Sequence, residues 1–185
     1  MDIIIKDNFM PKDIFENFTS NFTKIPWYTS VIVSGDAVVD KNNNFQFVHP
    51  FYRENYSSES STSKIKHSPF FDEFIKPILP NLGVEYLIRV KANLIPRSDK
   101  IIKQGFHIDQ EHNDYKGLTD CFASILYFNT NNGYTEFKDG TRIGSVENRL
   151  VTFPLSYYHR GVSCTDKPYR IVINFNYFKK LDNTQ

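Results

Sequence analysis

The second half of the chain alternates between apolar and polar residues, and this pattern limits the possible folds more than any other feature of the sequence. The alternation begins at Glu85 and continues, interrupted by short turns, to Phe178. Successive side chains of an extended strand point to opposite faces, so a period of two predicts strands that bury one face. The predicted strands span residues 85–96, 101–108, 121–128, 134–138, 141–146, 149–153 and 170–178. Between two of them, Asp139-Gly140 predicts a two-residue hairpin turn.

The first half of the chain shows helical spacing instead. A strand is predicted at 3–6 and a helix at 11–24, where Pro11 suits the first helical position. The buried face of this helix is predicted from apolar residues three and four positions apart, namely Ile14, Phe15, Phe18 and Phe22. A second helix is expected after Ser68, which can cap it. Its predicted buried face contains Phe70, Phe71, Phe74, Ile75 and Ile78. Pro77 conflicts with a continuous helix at this point.

Short strands and a polar segment are predicted between the two helices. The strands lie at 31–34 and 45–48, and the segment 55–64 that follows them is rich in serine. Such a segment is typical either of a surface loop or of a lid over a binding site. Helices followed by a series of closely spaced strands indicate an α+β fold. In this fold the helices would cover one face of an antiparallel sandwich or jelly roll.

Composition excludes several functional classes. The formal net charge of +1 is too balanced for a protein that binds nucleic acid or a membrane surface through a basic excess. The 17 Phe and 11 Tyr predict a large aromatic core rather than disorder. No apolar stretch is long enough to span a membrane, no signal peptide is evident, and Cys121 and Cys164 form no CxxC motif, so a cytoplasmic location is expected. One domain is expected over 1–185, with supporting elements in 1–83 and the strand-rich core in 84–178.

Two histidines and one aspartate form the most informative motif of the sequence. His107 and Asp109 are two positions apart in a predicted strand, so their side chains would project from the same face. His159 follows Asp109 by fifty residues. Two imidazoles and one carboxylate form the 2-His-1-carboxylate triad, which holds Fe(II) and leaves other positions open for ligands. A His-x-Asp pair is common by chance, so the interpretation depends on the distal histidine.

The last predicted strand carries a second candidate group. Arg170 shares a face with Val172, Asn174 and Asn176, whereas the opposite face is apolar and is expected to pack against the helices. The guanidinium group is either an ordinary surface charge or, inside a barrel, an anchor for an acidic ligand, because its geometry matches that of a carboxylate.

The alternation also predicts which other residues face the cavity. On strand 85–96 these are Arg89, Lys91, Asn93 and Ile95. On strand 121–128, Tyr127 shares a face with the small or aliphatic Ala123 and Ile125, which would leave space for a ligand. Tyr127 is therefore interpreted either as a ligand contact or as an ordinary core tyrosine.

Taken together, His107-x-Asp109, His159 and the later Arg170 resemble the Fe(II)- and 2-oxoglutarate-dependent dioxygenases, in the branch of the prolyl 4-hydroxylases. The resemblance covers about residues 84–178 and extends to small stand-alone members, including those encoded by phages. It implies a double-stranded β-helix of the cupin-like jelly-roll type, with the N-terminal helices on the major sheet. It also implies Fe(II), 2-oxoglutarate and O2 as cofactor and co-substrates.

The resemblance further implies a role for each candidate residue. His107, Asp109 and His159 would hold iron, and Arg170 would pair with the distal carboxylate of 2-oxoglutarate, to which Tyr127 would also hydrogen-bond. Two asparagines complete the candidate co-substrate contacts, Asn93 and Asn174. The chain departs from the family at Ile95, where the oxygen-sensing type has tyrosine, and Asn93 could supply the missing polar contact. The implied reaction hydroxylates a C–H bond of a peptide or protein, prolyl first, or of a small molecule, selected by a cavity rim at 36–66 and 110–118.

Other functions stay open at this stage. His107, Asp109 and the nearby His112 could form a zinc site in a hydrolase or in a structural role, although this leaves Arg170 unexplained. A jelly-roll binding protein without turnover is a second alternative. A nucleic-acid demethylase of the same family would require a basic rim, which the balanced charge does not favour.

Overall fold

The computed structural model describes residues 2–22, 24–31, 45–57, 60–109 and 120–179. It contains eleven strands and three helices within these ranges. The elements are β1 (Ile4–Lys6), α1 (Lys12–Phe22), β2 (Tyr28–Val31), β3 (Phe45–Ser57), β4 (Ser60–His67), α2 (Phe71–Phe74), α3 (Leu79–Leu82), β5 (Val84–Pro96), β6 (Cys121–Tyr127), β7 (Tyr134–Phe137), β8 (Arg142–Gly144), β9 (Leu150–Pro154), β10 (His159–Val162) and β11 (Tyr169–Lys179).

The strands form one large and one small antiparallel sheet. The large sheet has the order β1-β9-β6-β11-β5-β3-β2, with β4 paired to β3, and the small sheet has the order β10-β7-β8. The long pair β5 and β11 lies at the centre of the large sheet. A chain of mainly antiparallel strands with a few N-terminal helices is an α+β arrangement of the jelly-roll kind, as the alternation predicts.

One face of the large sheet is covered by the N-terminal helices. Phe15, Phe18 and Phe22 of α1 are buried in the same cluster as Ile173 and Phe175 of β11. The helices therefore occupy the predicted place, and the apolar face of β11 packs against them. The prediction for Ile14 was wrong: its side chain is 50% exposed, because it lies at the edge of the helical stripe and points toward solvent.

The other face of the large sheet packs against the small sheet. Ile125 and Val151 of the large sheet share a core cluster with Phe137 and Ile143 of the small sheet. The predicted hairpin between β7 and β8 is confirmed. Its loop is longer than the predicted two residues and spans 138–140, because the Phe137 N–H donates to the Thr141 carbonyl and the Gly140 N–H donates to the Phe137 carbonyl. Gly140 lies at φ +93°, a left-handed conformation that glycine adopts without steric cost. The two sheets thus enclose a second core, and the candidate site opens on it.

A β-bulge changes the predicted alternation on β5. Asn176 pairs with Arg89 and the next residue of β11 pairs with Leu87, so Ile88 has no partner on β11. Beyond the bulge the faces exchange: Ile88 is buried between the two sheets and Leu87 packs on the helix side. A regular alternation along this strand would put Ile88 on the face of Val90, and the bulge prevents this.

The helix predicted after Ser68 is divided into two short helices. Ser68 accepts a hydrogen bond from the Phe70 backbone N–H through its hydroxyl (3.2 Å), in the turn before α2. The prediction that Ser68 caps this helix was wrong, because Phe70 occupies the cap position of α2 and makes no side-chain cap hydrogen bond. Pro77 lies between the end of α2 and the start of α3, as expected of a residue that cannot continue a helix.

Three strand predictions also need correction. Residues 101–108 form no continuous strand and contribute two isolated bridges, Lys103 to Val162 and His107 to His159. The strand β10 that receives these bridges was not predicted. The serine-rich segment 55–64 is not a loop where the structure describes it, because residues 55–57 and 60–64 lie in the antiparallel pair β3 and β4.

No helix within the described ranges is long and apolar enough to cross a membrane.

Candidate metal centre and active site

A cavity of about 260 Å³ lies between the two sheets. Its floor comes from the face of β5 and β11 that turns away from the helices. Its sides come from β6, β7, β10 and the segment that ends at Asp109. The cavity-facing residues predicted for β5 all line it: Arg89, Lys91, Asn93 and Ile95. Gln46, which belongs to the predicted rim at 36–66, lines the cavity. Ser30 and Val31 of β2 also line it, although they lie outside the predicted rim.

The cavity wall brings the predicted triad together. His107 and His159 are joined by two backbone hydrogen bonds, with each N–H donating to the other's carbonyl (2.9 and 3.0 Å). This bridge places the two imidazole rings with their centroids 4.8 Å apart. One potential ligand atom from each of His107, Asp109 and His159 lies within 4.8 Å of the other two. The three side chains thus converge although residues 101–109 do not form the predicted strand.

Both imidazole rings have their second nitrogen held by the backbone. Nδ1 of His107 lies 3.2 Å from the Gly105 carbonyl, and Nδ1 of His159 lies 3.0 Å from the Tyr157 carbonyl. A carbonyl oxygen can only accept, so each Nδ1 carries the proton and each Nε2 presents a lone pair. Burial lowers the pKa of His159, against the opposing charge of Asp109, and so favours the neutral ring. This is the arrangement in which metal-ligating histidines are usually held.

Asp109 receives support from two neighbouring strands. Its Oδ1 pairs with the Arg89 guanidinium (3.1 Å), and its Oδ2 accepts a hydrogen bond from the Asn176 amide (2.9 Å). Arg89 also donates to the side-chain amide oxygen of Asn176, Oδ1 (2.9 Å), so the three side chains form a closed ring of contacts. Burial alone would raise the pKa of Asp109, but the Arg89 guanidinium beside it holds the pKa well below its usual range. The carboxylate therefore stays ionised and keeps one orientation.

Arg170 lines the same cavity and is 2% exposed. Its guanidinium donates to the hydroxyls of Ser145 (2.8 Å) and Thr135 (3.2 Å), which are neutral groups. Among the described residues no acidic side chain pairs with it, and burial lowers its pKa. A Cβ at Gly133 would lie 2.8 Å from the Arg170 side chain, so the lack of a side chain there makes room for it. A buried cation held by hydroxyls alone is suited to an anionic ligand.

The remaining predicted residues occupy different places around this cation. Asn93 and Asn174 line the cavity directly. Tyr127 is fully buried behind it, where its hydroxyl donates to Thr135 Oγ1 (2.8 Å) and its ring centre lies 5.5 Å from the Arg170 guanidinium carbon. Ile95 faces the cavity beside Arg170, its cross-strand partner. The zinc alternative cannot be placed, because His112 lies outside the described residues.

Several site residues were missed by the sequence analysis. The alternation placed Arg89 and Asn176 on the cavity face but gave no sign that both contact Asp109. Thr135 and Ser145, which hold Arg170, come from β7 and the turn after β8, where no local pattern distinguishes them from other polar residues. Only the pairing of distant strands identifies these contacts.

No protein-family model matches this sequence, and no curated protein matches it either. The structure, in contrast, is similar to solved structures over 96% of the chain. One is an oxidoreductase of the 2OG-Fe(II) oxygenase family from Burkholderia pseudomallei, with a TM-score of 0.64, 11% identity and 84% of that chain covered. Another is a Pseudomonas putida prolyl-4-hydroxylase, with a TM-score of 0.56, 12% identity and 92% of that chain covered.

A third similar structure is a prolyl hydroxylase from Trichoplax adhaerens in complex with a peptide fragment of the hypoxia inducible factor oxygen degradation domain. Its TM-score is 0.58 at 13% identity, and 83% of that chain is covered. At these identities the likeness shows the fold. The predicted resemblance to the 2-oxoglutarate and Fe(II) oxygenases, including prolyl hydroxylases, is confirmed at this level.

Proposed function

We propose that this protein is an Fe(II)- and 2-oxoglutarate-dependent dioxygenase, built on a double-stranded β-helix that forms one domain over residues 1–185. The observation that carries the proposal is the content of one cavity. His107, Asp109 and His159 converge on its wall within 4.8 Å, and the fully buried Arg170 faces the same space with only hydroxyls as partners. A zinc site would use the three ligands but would give Arg170 no task.

The three converging side chains suit iron in their chemistry. Each of the two imidazoles turns its Nε2 toward Asp109, whose ionised carboxylate lies 3.6 and 3.8 Å from these nitrogens. Two histidines and one carboxylate are the donor set of non-haem Fe(II) oxygenases, and they leave coordination positions open. We infer that His107, Asp109 and His159 hold the iron, with the backbone carbonyls and Asn176 fixing their orientation.

The co-substrate follows from Arg170. We infer that its guanidinium pairs with the distal carboxylate of 2-oxoglutarate, because a dicarboxylate can reach a buried cation and ligate a metal at its other end. Ser145 and Thr135 hold the guanidinium in place, and Tyr127 orients Thr135 from behind. The direct contacts proposed for Tyr127, Asn93 and Asn174 stay predictions.

When bound, iron supplies the activation of O2, whose two oxygen atoms end in succinate and in the hydroxylated substrate, while 2-oxoglutarate releases CO2. The protein contributes positioning and a dry wall. Phe153 meets the His159 ring edge-on at 4.9 Å, and Phe137 lies behind it at 6.2 Å. These rings exclude water on that side of the site, which limits side reactions of reactive species.

The proposed substrate is a prolyl or other side chain of a peptide or protein. Two of the similar structures are prolyl hydroxylases, and one of them is bound to a peptide. A small molecule is the second substrate class. The formal net charge of +1 provides no general attraction for nucleic acid.

The test is an assay of succinate with Fe(II), 2-oxoglutarate and O2, first without a substrate, since enzymes of this type turn over slowly when uncoupled. We expect succinate from the wild type and at least about a hundredfold less from His107→Ala, which removes a ligand. Arg170→Met should instead raise the KM for 2-oxoglutarate by about tenfold or more, with iron still bound. His67→Ala is the matched control, because His67 is exposed outside the cavity. Tight zinc retention without 2-oxoglutarate binding would contradict the proposal.

A further inference from the structure

The cavity contains more positive charge than the proposed cofactors use. Three cations line it, Arg89, Lys91 and Arg170, and Asp109 is its only acidic residue among those described. A ferrous ion adds two positive charges and 2-oxoglutarate adds two negative ones. With both bound, Arg170 would be paired and Arg89 would share Asp109 with the metal. Two positive charges then remain uncompensated inside the protein, where isolated charge is costly.

Lys91 is the cation without an assigned task. It stands on β5 directly opposite Asn174 of β11, and both side chains face the cavity. Unlike Arg89, which pairs with Asp109 and Asn176, Lys91 makes no hydrogen bond or ion pair to any described residue. Burial is the main cause that lowers its pKa to about 8, and the Arg89 charge adds to the effect while Asp109 partly opposes it. An anion beside Lys91 would relieve this cost.

Asn174 presents a second unused group in the same place. Its Oδ1 is buried and accepts no hydrogen bond, and it is the sole such side-chain atom in the described ranges. A buried acceptor without a partner is rare in proteins and calls for a ligand or water that donates to it. An ammonium group beside an unpaired acceptor is a site for a carboxylate with a neighbouring N–H donor.

The place of this pair separates it from the co-substrate anchor. Along β11 and β5, Arg170 pairs with Ile95, Val172 with Asn93, and Asn174 with Lys91. These three pairs lie on the same face of the sheet, and the pair of Val172 and Asn93 separates Lys91 from Arg170. Lys91 therefore lies on the side of the cavity toward Asp109. One carboxylate of 2-oxoglutarate could also lie near Lys91. The excess of two positive charges would stay the same, because the count above already includes both negative charges of 2-oxoglutarate.

We propose that the substrate carries a carboxylate that pairs with Lys91. An adjacent N–H of the same substrate donates to Oδ1 of the Asn174 side chain. This inference rests on the proposed function and specifies its substrate class. The required chemistry occurs in an acidic residue next to the hydroxylated residue of a peptide, and in a free amino acid. Substrates of either source that lack the carboxylate would leave both groups unpaired and would be rejected.

Two matched probe pairs separate these sources. The first is a terminally blocked peptide with glutamate after proline, against the same peptide with glutamine. The second is L-proline against L-prolinamide. Binding is measured by calorimetry on protein loaded with Mn(II) and 2-oxoglutarate, which does not depend on turnover. Hydroxylation is followed separately with Fe(II) by mass spectrometry and by succinate release.

We expect the carboxylate member of one pair to bind about tenfold or more tightly than its amide. Lys91→Met should abolish this preference, whereas Lys91→Arg, which retains the charge, should keep most of it. Lys76→Met is the matched control, since Lys76 is an exposed lysine of the turn after α2. The KM for 2-oxoglutarate in the uncoupled reaction should change less than about threefold in Lys91→Met.

Equal binding within both pairs would overturn the inference, as would a preference that survives Lys91→Met. A tenfold rise in the 2-oxoglutarate KM with an unchanged substrate preference would also overturn it, by assigning Lys91 to the co-substrate. These outcomes are distinct from failure of the proposed function. If no succinate forms but the preference for the carboxylate is present and Lys91→Met removes it, the proposed dioxygenase function is refuted. The inference that Lys91 binds an anionic ligand then still holds.

Discussion

Two buried carboxylates on opposite sides of the small sheet differ in what surrounds them. The Asp109 side chain is 3% exposed and that of Glu136 is 6% exposed, and arginine contacts each of them. Asp109 faces two imidazoles with Nε2 lone pairs and accepts from Arg89 and Asn176. Among the described residues, the ion-pair partners of Glu136 on β7 are three cations: Arg160, Arg142 and Lys103.

The difference concerns the remaining capacity of each carboxylate. Arg142 donates to Oε1 of Glu136, and Arg160 donates twice to Oε2, so fixed positive charges saturate the group. Asp109 has fewer fixed donors and lies beside two imidazole Nε2 atoms that can join it in binding a metal cation. A buried, arginine-paired carboxylate is therefore not by itself a metal site, and the neighbouring lone pairs decide its function.

Glu136 has a structural task near the same site. Arg160 of β10 connects it to the strand that carries His159, and the Arg160 guanidinium also lies 4.1 Å from the ring centre of Phe106. Lys103 extends the cluster to the segment before His107, at an Nζ to Oε2 distance of 3.5 Å. Glu136 thus holds together the two segments that supply the histidines.

The largest expected effect comes from replacing each of the two carboxylates, Asp109 and Glu136, by the corresponding amide. Asp109→Asn should lower iron affinity and succinate formation by more than about a hundredfold, since even groups behind a metal ligand contribute 10- to 100-fold. Glu136→Gln should leave succinate formation within about threefold at pH 7, because the Glu136 side chain does not line the cavity and two backbone hydrogen bonds still join His107 to His159. Metal titration and the succinate assay on both variants measure the contrast. Equal losses in the two variants would remove the distinction drawn between them.

The second effect concerns stability in acid. Burial alone would raise the pKa of Glu136, but hydrogen bonds from Arg160 and Arg142 lower it from 4.5 to about 2. Because the folded pKa lies below the unfolded one, this stabilisation is present above pH 4.5 and is lost as the pH falls toward 2. Glu136→Gln should therefore cost about 2 kcal/mol of unfolding free energy at pH 7 and less at lower pH. Urea unfolding at pH 7 and pH 3 checks this, and a cost that does not shrink at pH 3 would count against it.

The smallest effect tests the support of Asp109. Asn176→Leu keeps a similar side-chain volume but removes the donor to Asp109 Oδ2 and the acceptor for Arg89. We expect about tenfold weaker iron binding with a nearly unchanged KM for 2-oxoglutarate. Titration of Mn(II) into the variant and the wild type gives the comparison. Unchanged metal affinity would mean that Arg89 alone positions the carboxylate.

The sequence predicted the elements whose periodicity is regular. The faces of β11 were correct from Arg170 to Asn176, because an unbroken strand keeps its alternation. On β5 the same rule failed at Ile88, where a bulge reverses the faces, and a bulge leaves no mark in the local pattern. The predicted convergence of His107 and Asp109 was correct, although the strand predicted at 101–108 exists only as two isolated bridges.

The contacts that were not predicted are those between distant strands. Glu136 appears in an ordinary alternating segment, and its partners come from residues 103, 142 and 160 of three other segments. The ring of Arg89, Asn176 and Asp109 likewise depends on pairing between β5 and β11 and on the path of the chain before residue 110. Sequence alone gives the face of a strand, and the register between strands then decides which side chains meet.

The most direct test of the central claim is a crystal structure of the protein grown without oxygen in the presence of Mn(II) and 2-oxoglutarate. We predict one metal ion bound by His107 and His159 through Nε2 and by Asp109 through a carboxylate oxygen, with a carboxylate of 2-oxoglutarate on Arg170. A metal ion bound elsewhere, or 2-oxoglutarate absent from the cavity while the three side chains hold the metal, would contradict the claim.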